Sequence, residues 1–306
     1  MEFTLEDKNK FYSYEDFNFT MPMSYFEGKE INNELALNRR FCFILIEKGA
    51  GIAQINDKNI HFIAPTVFCI NETENIIIDK KLNCDIKAIY FHPSAINGAL
   101  NFDNIRNYAE DFTTSTIQDC YWNKCFIERD DIYNGKVSIG PITYKRIEFL
   151  FDDFKKESSL QTKAYWPCRV ISYVMEILFL IEKLYSENDL SSADFIGEVD
   201  DELYSILIYI LNNYNKKITI PTLTKEFNIN RTTLSEKFNK FIGETIISYL
   251  NKLRIKMASV MLKDTLLPVS EVMERVGFND STHFSRTFKK YMGISPSEFR
   301  DSTYSL

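Results

Sequence analysis

The stretch that most constrains this chain runs from Val269 to Arg300 and reads VSEVMERVGFNDSTHFSRTFKKYMGISPSEFR. Val269, Val272, Met273 and Val276 recur at helical spacing, which lines them along one face of a short amphipathic helix. Gly277 ends that helix. A second apolar set, Phe284, Phe288 and Tyr291 or Met292, repeats the period from Ser281 onward, with Asp280 or Ser281 placed to cap the new N-terminus. Two short helices joined by a tight turn follow. In this plan the second helix can offer its outward N-terminal side chains to the major groove of DNA. Here those side chains are Ser281, Thr282, Ser285 and Arg286, followed by Lys289 and Lys290.

The run from about Ile208 to Arg300 resembles the paired helix-turn-helix domain of the AraC/XylS transcription regulators. The likeness rests on Gly277-Phe278, Phe284-Ser285-Arg286, Phe288-Lys289-Lys290, Gly293, Ser295-Pro296 and Phe299-Arg300. Upstream, Leu234, Phe238, Gly243, Tyr249-Leu250, Arg254-Ile255, Ala258 and Leu262 match as well. A lone helical hairpin with a glycine turn would carry little; this many residues at fixed spacing carries much more.

A chain of 306 residues is comfortable for two domains, and 45% hydrophobic with 14% aromatic residues can fill two cores. Its net charge of −7 hides an asymmetry. Residues 200–306 hold fifteen Lys and Arg against twelve Asp and Glu, and residues 1–199 hold 21 against 31. Binding to phosphates needs a local basic face and not a basic protein. The cysteines at positions 42, 69, 84, 120, 125 and 168 lack metal-type spacing and read as thiols of a reducing compartment. The opening MEFTLEDKNKFYSYEDF has no apolar core of a signal peptide, and Val170 to Leu184 is interrupted by Ser172, Tyr173, Glu176, Glu182 and Lys183. A cytoplasmic protein with no membrane partner is the expectation.

From Phe41 to Phe91, short β-branched or aromatic runs alternate with turn residues, as in an antiparallel sandwich or barrel. The family resemblance implies a cupin-like effector-binding domain for residues 1–140. Ile147, Leu150, Phe151 and Phe154 give the next segment a helical face. Pro167 fits a first helical turn, and Ile171, Val174, Leu178, Ile181 and Tyr185 then follow at alternating three and four, the spacing of a coiled-coil seam. That stripe could pack on the β domain, and the resemblance implies that residues 141–190 dimerise through it. Polar residues 191–199 serve as a linker, and residues 200–306 form the DNA-binding domain. Between its two hairpins, Glu244 to Lys263 reads as one helix, about 28 Å long at 1.5 Å per residue. That approaches the ~34 Å between successive major-groove turns.

The fold class expected is therefore α+β multidomain. An N-terminal cupin-like antiparallel β-barrel with a helical dimerisation segment precedes an all-α domain of two helix-turn-helix modules joined by a linker helix. Carried over by position, the base contacts implied are Thr232, Ser235, Glu236, Ser281, Thr282, Ser285 and Arg286. Arg286 matches the O6 and N7 edge of guanine. Arg231, Lys240, Lys252, Lys256, Lys289 and Lys290 are the phosphate contacts implied. Three residues depart from the family pattern. Thr224 and Met273 stand where a small alanine is usual, and Glu236 needs a cytosine N4 or a pairing with Lys237 or Lys240 to face DNA.

If Phe41, Phe43 and Leu45 share the inward strand face, they form an apolar effector pocket with His61 or Tyr90 as polar anchor. The partners expected are double-stranded promoter DNA, a small-molecule effector, a second copy of the chain and, by resemblance, RNA polymerase; no cofactor or metal is expected. Two readings compete with an effector-responsive activator. One is a dimeric scaffold or anti-regulator of the same fold that does not bind DNA. The other, a metal-dependent cupin enzyme, is opposed by the wide spacing of His61, His92 and His283. Pro167-Cys168-Arg169-Val170 looks like the active-site sequence of alkylguanine-DNA alkyltransferases, but the histidine that would activate the thiol is missing.

Overall fold

The computed structural model describes residues 12–14, 19–29, 31, 40–78, 84–130, 133–161, 165–186, 195–196 and 200–304. The expected linker at 191–199 falls outside these except for residues 195–196. The β-rich part holds eleven described strands: β1 (Tyr12–Tyr14), β2 (Phe19–Met21), β3 (Met23–Gly28), β4 (Phe41–Ile46), β5 (Ala50–Ile55), β6 (Lys58–Ile63), β7 (Thr66–Ile70), β8 (Ile76–Ile78), β9 (Ile86–Phe91), β10 (Lys136–Ser138) and β11 (Phe195–Ile196). They build a five-stranded antiparallel sheet in the order β10-β7-β4-β9-β3, a four-stranded sheet β11-β6-β5-β8 and the pair β1-β2. Among the described residues no strand pairing closes the two larger sheets into a barrel.

The two sheets pack through an apolar layer that includes Cys42, Ile44, Ile46, Phe68 and Tyr90 from one and Ala53, Ile55, Ile60 and Phe62 from the other. Strand β4 is buried along its whole length, so its second face needs another cover. Four helices supply it: α1 (Thr114–Trp122), α2 (Lys124–Ile127), α3 (Pro141–Leu160) and α4 (Trp166–Ser186). Phe41, Phe43 and Leu45 pack beneath them with Phe126, Phe151 and Val174. The rings of Phe41 and Phe126 stack with centroids 4.6 Å apart.

The α4 stripe faces inward. Val174, Leu178 and Ile181 are completely buried in their own subunit's core, and Ile171 and Tyr185 are half-buried against it. Tyr185 also donates a hydrogen bond to Glu128, and its ring lies 4.3 Å from that of Tyr133. A helix on a sheet and a helix in a coiled coil use the same spacing. Here the sheet takes the stripe.

The C-terminal part is helical: α5 (Asp201–Asn213), α6 (Ile220–Glu226), α7 (Arg231–Ile242), α8 (Ile246–Asp264), α9 (Val269–Arg275), α10 (Ser281–Met292) and α11 (Pro296–Tyr304). Helices α6 and α7 form one hairpin and α9 and α10 a second, with α8 running between them. Each start is capped where the sequence supplies a short polar side chain. Thr219, Asn230, Thr245 and Asp280 accept from the backbone amides of Thr222, Thr233, Ser248 and His283. Asn228 and Gly277 take left-handed φ values of 50° and 90° at the two turns.

The hairpins have separate cores. The first, around Leu223, Leu234 and Phe238, is continuous with α5 and with Ile52 of β5. The second, around Val272, Phe278, Phe284 and Phe288, rests on Ile255, Ala258 and Leu262 of α8 and on Phe299. Among the described residues no helix is long and apolar enough to cross a membrane.

Candidate nucleic-acid interface

Helix α7 buries Leu234 and Phe238 and turns Arg231, Thr232, Ser235, Glu236, Asn239 and Lys240 outward. Helix α10 repeats the arrangement. It buries Phe284, Thr287 and Phe288 and exposes Ser281, Thr282, His283, Ser285, Arg286, Lys289 and Lys290. All seven side chains expected to meet bases therefore lie on the open faces of the second helix of each hairpin. Both helices end in a left-handed glycine, Gly243 and Gly293, whose amides close on the carbonyls of Asn239 and Lys289.

The expected phosphate contacts divide into two groups. Arg231, Lys240, Lys289 and Lys290 are exposed, whereas Lys252 and Lys256 on α8 are half-buried. Lys256 lies near His61 of the β domain, close enough to oppose protonation of that imidazole. Glu236 is exposed on α7, but the neighbouring Lys237 turns elsewhere. Its ammonium donates to Glu202 at 2.5 Å and lies 3.3 Å from Asp200, and the hydrogen bond to Glu202 raises its pKa.

The five residues expected to form an effector pocket are not brought together. Phe41, Phe43 and Leu45 sit beneath the helices, whereas Tyr90 belongs to the layer between the sheets. Burial holds the Tyr90 hydroxyl well above its usual pKa, with the Cys42 thiol beside it. His61 lies at a third place, where β6 meets α8: its Nδ1 is 2.7 Å from the Tyr249 hydroxyl. Burial, with Lys136 and Lys256 adding to it, pushes His61 down to about 3, so it is neutral at pH 7. His92 instead accepts the Ser94 amide in a short turn after β9, well apart in sequence and role. No cluster of three or more metal-ligating groups occurs among the described residues.

Two features of this surface were not singled out from the sequence. His283 is exposed on the first turn of α10 beside the side chains expected to meet bases, with its ring 5.3 Å from Phe278. Arg254, matched only as part of a motif, ties α8 to the segment before the first hairpin. It donates to the carbonyls of Tyr214 and Lys216 at 2.7 Å and lies over the Phe278 ring of the second hairpin. Its position among apolar neighbours in the sequence gave no sign of those two carbonyls.

Residues 223–302 match the family model of a helix-turn-helix domain. Over this domain the chain is similar to the AraC/XylS transcription regulators. Over 175 residues it is 25% identical to the lactose operon transcription activator of Staphylococcus xylosus, covering 57% of this chain and 62% of that protein. Over 81 residues it is 37% identical to the arabinose operon regulatory protein of Escherichia coli K12, covering 26% of this chain and 28% of that one. Both matches span less than two thirds of the relative. Among solved structures, the C-terminal domain of AraT, a response regulator from Geobacillus stearothermophilus, is 29% identical with a TM-score of 0.34, covering 35% of this chain and 88% of that one.

Proposed function

We propose that the chain is a sequence-specific DNA-binding transcription regulator, with two helix-turn-helix modules in residues 200–306 and a β domain in residues 1–140 that takes a small-molecule effector. The observation that carries this reading is the pair of outward recognition faces on α7 and α10, joined by a single helix. That helix, α8, has 19 residues and so a length of about 28 Å, near the ~34 Å groove repeat. One subunit then reads two blocks of an asymmetric site. Phosphate contacts from Arg231, Lys240, Lys289 and Lys290 supply most of the affinity, and Arg286 supplies base discrimination.

Activation and contact with RNA polymerase belong to the same proposal, in keeping with a relative named as a transcription activator. An effector between the two sheets would meet the Cys42, Ile44 and Ile46 face of β4 and the Tyr90 hydroxyl, which favours a mostly apolar molecule with one polar group. It acts by binding one arrangement of the DNA-binding part more tightly than another. A homodimer made by residues 141–190 has the outward flank of α3 and α4 to use, where Phe149 and Phe179 are exposed. Residues 191–199 connect the two parts.

The test is selection of bound duplexes from a random library by the full chain at two salt concentrations. Enrichment of two blocks about one helical turn apart, ~10 base pairs, with weaker binding at high salt, is the expected result. No enrichment at low salt overturns the proposal in favour of a scaffold that does not bind DNA.

A further inference from the structure

Helix α3 begins without a cap of its own. Gly140 occupies the cap position and has no side chain to offer, and Pro141 follows at the first helical position. The amides of Ile142 and Thr143 would be left with no acceptor from the local sequence. The acceptor comes from the DNA-binding part. One carboxylate oxygen of Asp264 accepts from the Ile142 amide at 2.6 Å, and the other from the Thr143 amide at 3.1 Å and from the Thr143 hydroxyl.

Asp264 is the last residue of α8. There its charge opposes the negative end of its own helix dipole, while it complements the positive end of α3. Its placement makes physical sense only across the two parts. Gly140 is part of the same fit: with φ at −81° it is not conformationally required, but a Cβ there would collide with Cβ and Cγ of Asp264.

Tyr249, Lys256 and Asp264 are seven and eight residues apart, so they lie on one face of α8. That face looks at the β domain and at α3, through the Tyr249–His61 contact at one end and the Asp264–α3 contact at the other. The first hairpin is also held through the core it shares with Ile52, whereas the second has a core of its own.

We propose that Asp264 and Gly140 form a latch that holds α8, and with it the second hairpin, against the β domain in a form with low affinity for DNA. This rests on the regulator reading above. In the latched form Lys256 is half-buried on the face of α8 turned to the N-terminal part, and so is less open to phosphate. Release of α8 uncovers it and lets the second hairpin adjust to its groove.

The experiment compares the full chain with Gly140→Ala, Asp264→Ala and Asp264→Asn by two readouts. The first is hydrogen exchange at residues 142–147, measured without DNA. The second is affinity for an enriched duplex over a range of salt. Gly140→Ala alters neither the DNA-binding part nor the carboxylate, so it separates release of the latch from damage to α8.

Expected are faster exchange at Ile142 and Thr143 in Gly140→Ala and Asp264→Ala and a smaller increase in Asp264→Asn, which keeps one acceptor oxygen. DNA affinity should rise by about fivefold or more, at the low end of usual allosteric couplings, with a salt slope steeper by about one phosphate contact. Unchanged exchange in Gly140→Ala would overturn the latch. Faster exchange with unchanged or lower DNA affinity would overturn its inhibitory role. If no duplex binds any of the four proteins, the regulator reading itself has failed, and the inhibitory role with it, while the exchange result still decides whether the contact braces the two parts.

Discussion

The two helical hairpins share a plan and differ in what surrounds them. The first is embedded: its core runs on into α5 and Ile52 of the β domain, its Tyr249 neighbour meets His61, and its Lys237 is held by Asp200 and Glu202. The second has a self-contained aromatic core against α8 and α11 and presents Arg286, Lys289 and Lys290 outward. Even the crossing residue differs. Thr224 bonds back to the carbonyl of Pro221, whereas Met273 is buried among the apolar neighbours of its hairpin. The contrast suggests a division of labour. On the proposed reading, signals from the β domain would enter at the first hairpin and α8, and exposed Arg286, Lys289 and Lys290 would give the second the stronger charged grip on DNA.

The largest effect that can break this comparison comes from emptying each core. Phe238→Ala and Phe288→Ala should each destabilise by about 3–5 kcal/mol, the usual range for a buried phenylalanine. Calorimetry should show Phe238→Ala lowering the melting of the β domain as well, and Phe288→Ala leaving that transition in place. If both variants shift every transition equally, the cores are not separate.

The turns offer the next test. A Cβ at Gly277 would sit 2.7 Å from the Asn215 carbonyl oxygen and would have to hold a φ of 90°. Gly277→Ala should therefore lose about 1–3 kcal/mol in denaturant titration. Asn228→Gly, at the corresponding turn of the first hairpin, should change stability by less than ~1 kcal/mol.

On DNA, Arg286→Ala should cost ~1–3 kcal/mol on the preferred sequence and relax choice at one base position. Lys289→Ala should weaken all sequences about equally and flatten the salt slope by roughly one unit. An unchanged preferred sequence in Arg286→Ala would show that the base contact lies elsewhere, with exposed His283 the next residue to replace.

The smallest effect concerns the embedded hairpin and pH. His61 titrates near 6.5 when unfolded and at about 3 when folded. Above pH 6.5 neither state carries the proton. As pH falls toward 3, the unfolded chain gains a proton that the folded one refuses, so stability is lost on acidification. The melting temperature of His61→Gln should accordingly fall less than that of the parent chain between about pH 6.5 and pH 5.

What could be read from the sequence follows the same divide. The helices of the second hairpin were legible because their limits are chemical: Gly277 stops the first and Asp280 caps the second. The predicted helix Glu244 to Lys263 lies within two residues of α8 at either end. Recognition faces follow directly, since 3.6-residue periodicity separates buried Phe284 and Phe288 from exposed Ser285 and Arg286.

Partners across the fold were not legible. Alternation along β4 shows that Phe41 and Cys42 face opposite ways, but not which side has helices over it. The α4 stripe has the right spacing for another protomer and for a sheet, and only packing decides. Asp264 capping α3 joins residues more than a hundred positions apart, with no periodic signal to connect them.

The central claim is that the two hairpins read one duplex together from a single rigid helix. Its most direct test is the affinity of the full chain for an enriched duplex and for the same duplex with five base pairs inserted between the two blocks. Half a turn of DNA puts the blocks on opposite faces, so the account predicts a fall to the affinity of a duplex carrying one block alone. Equal affinity for the two spacings would contradict it.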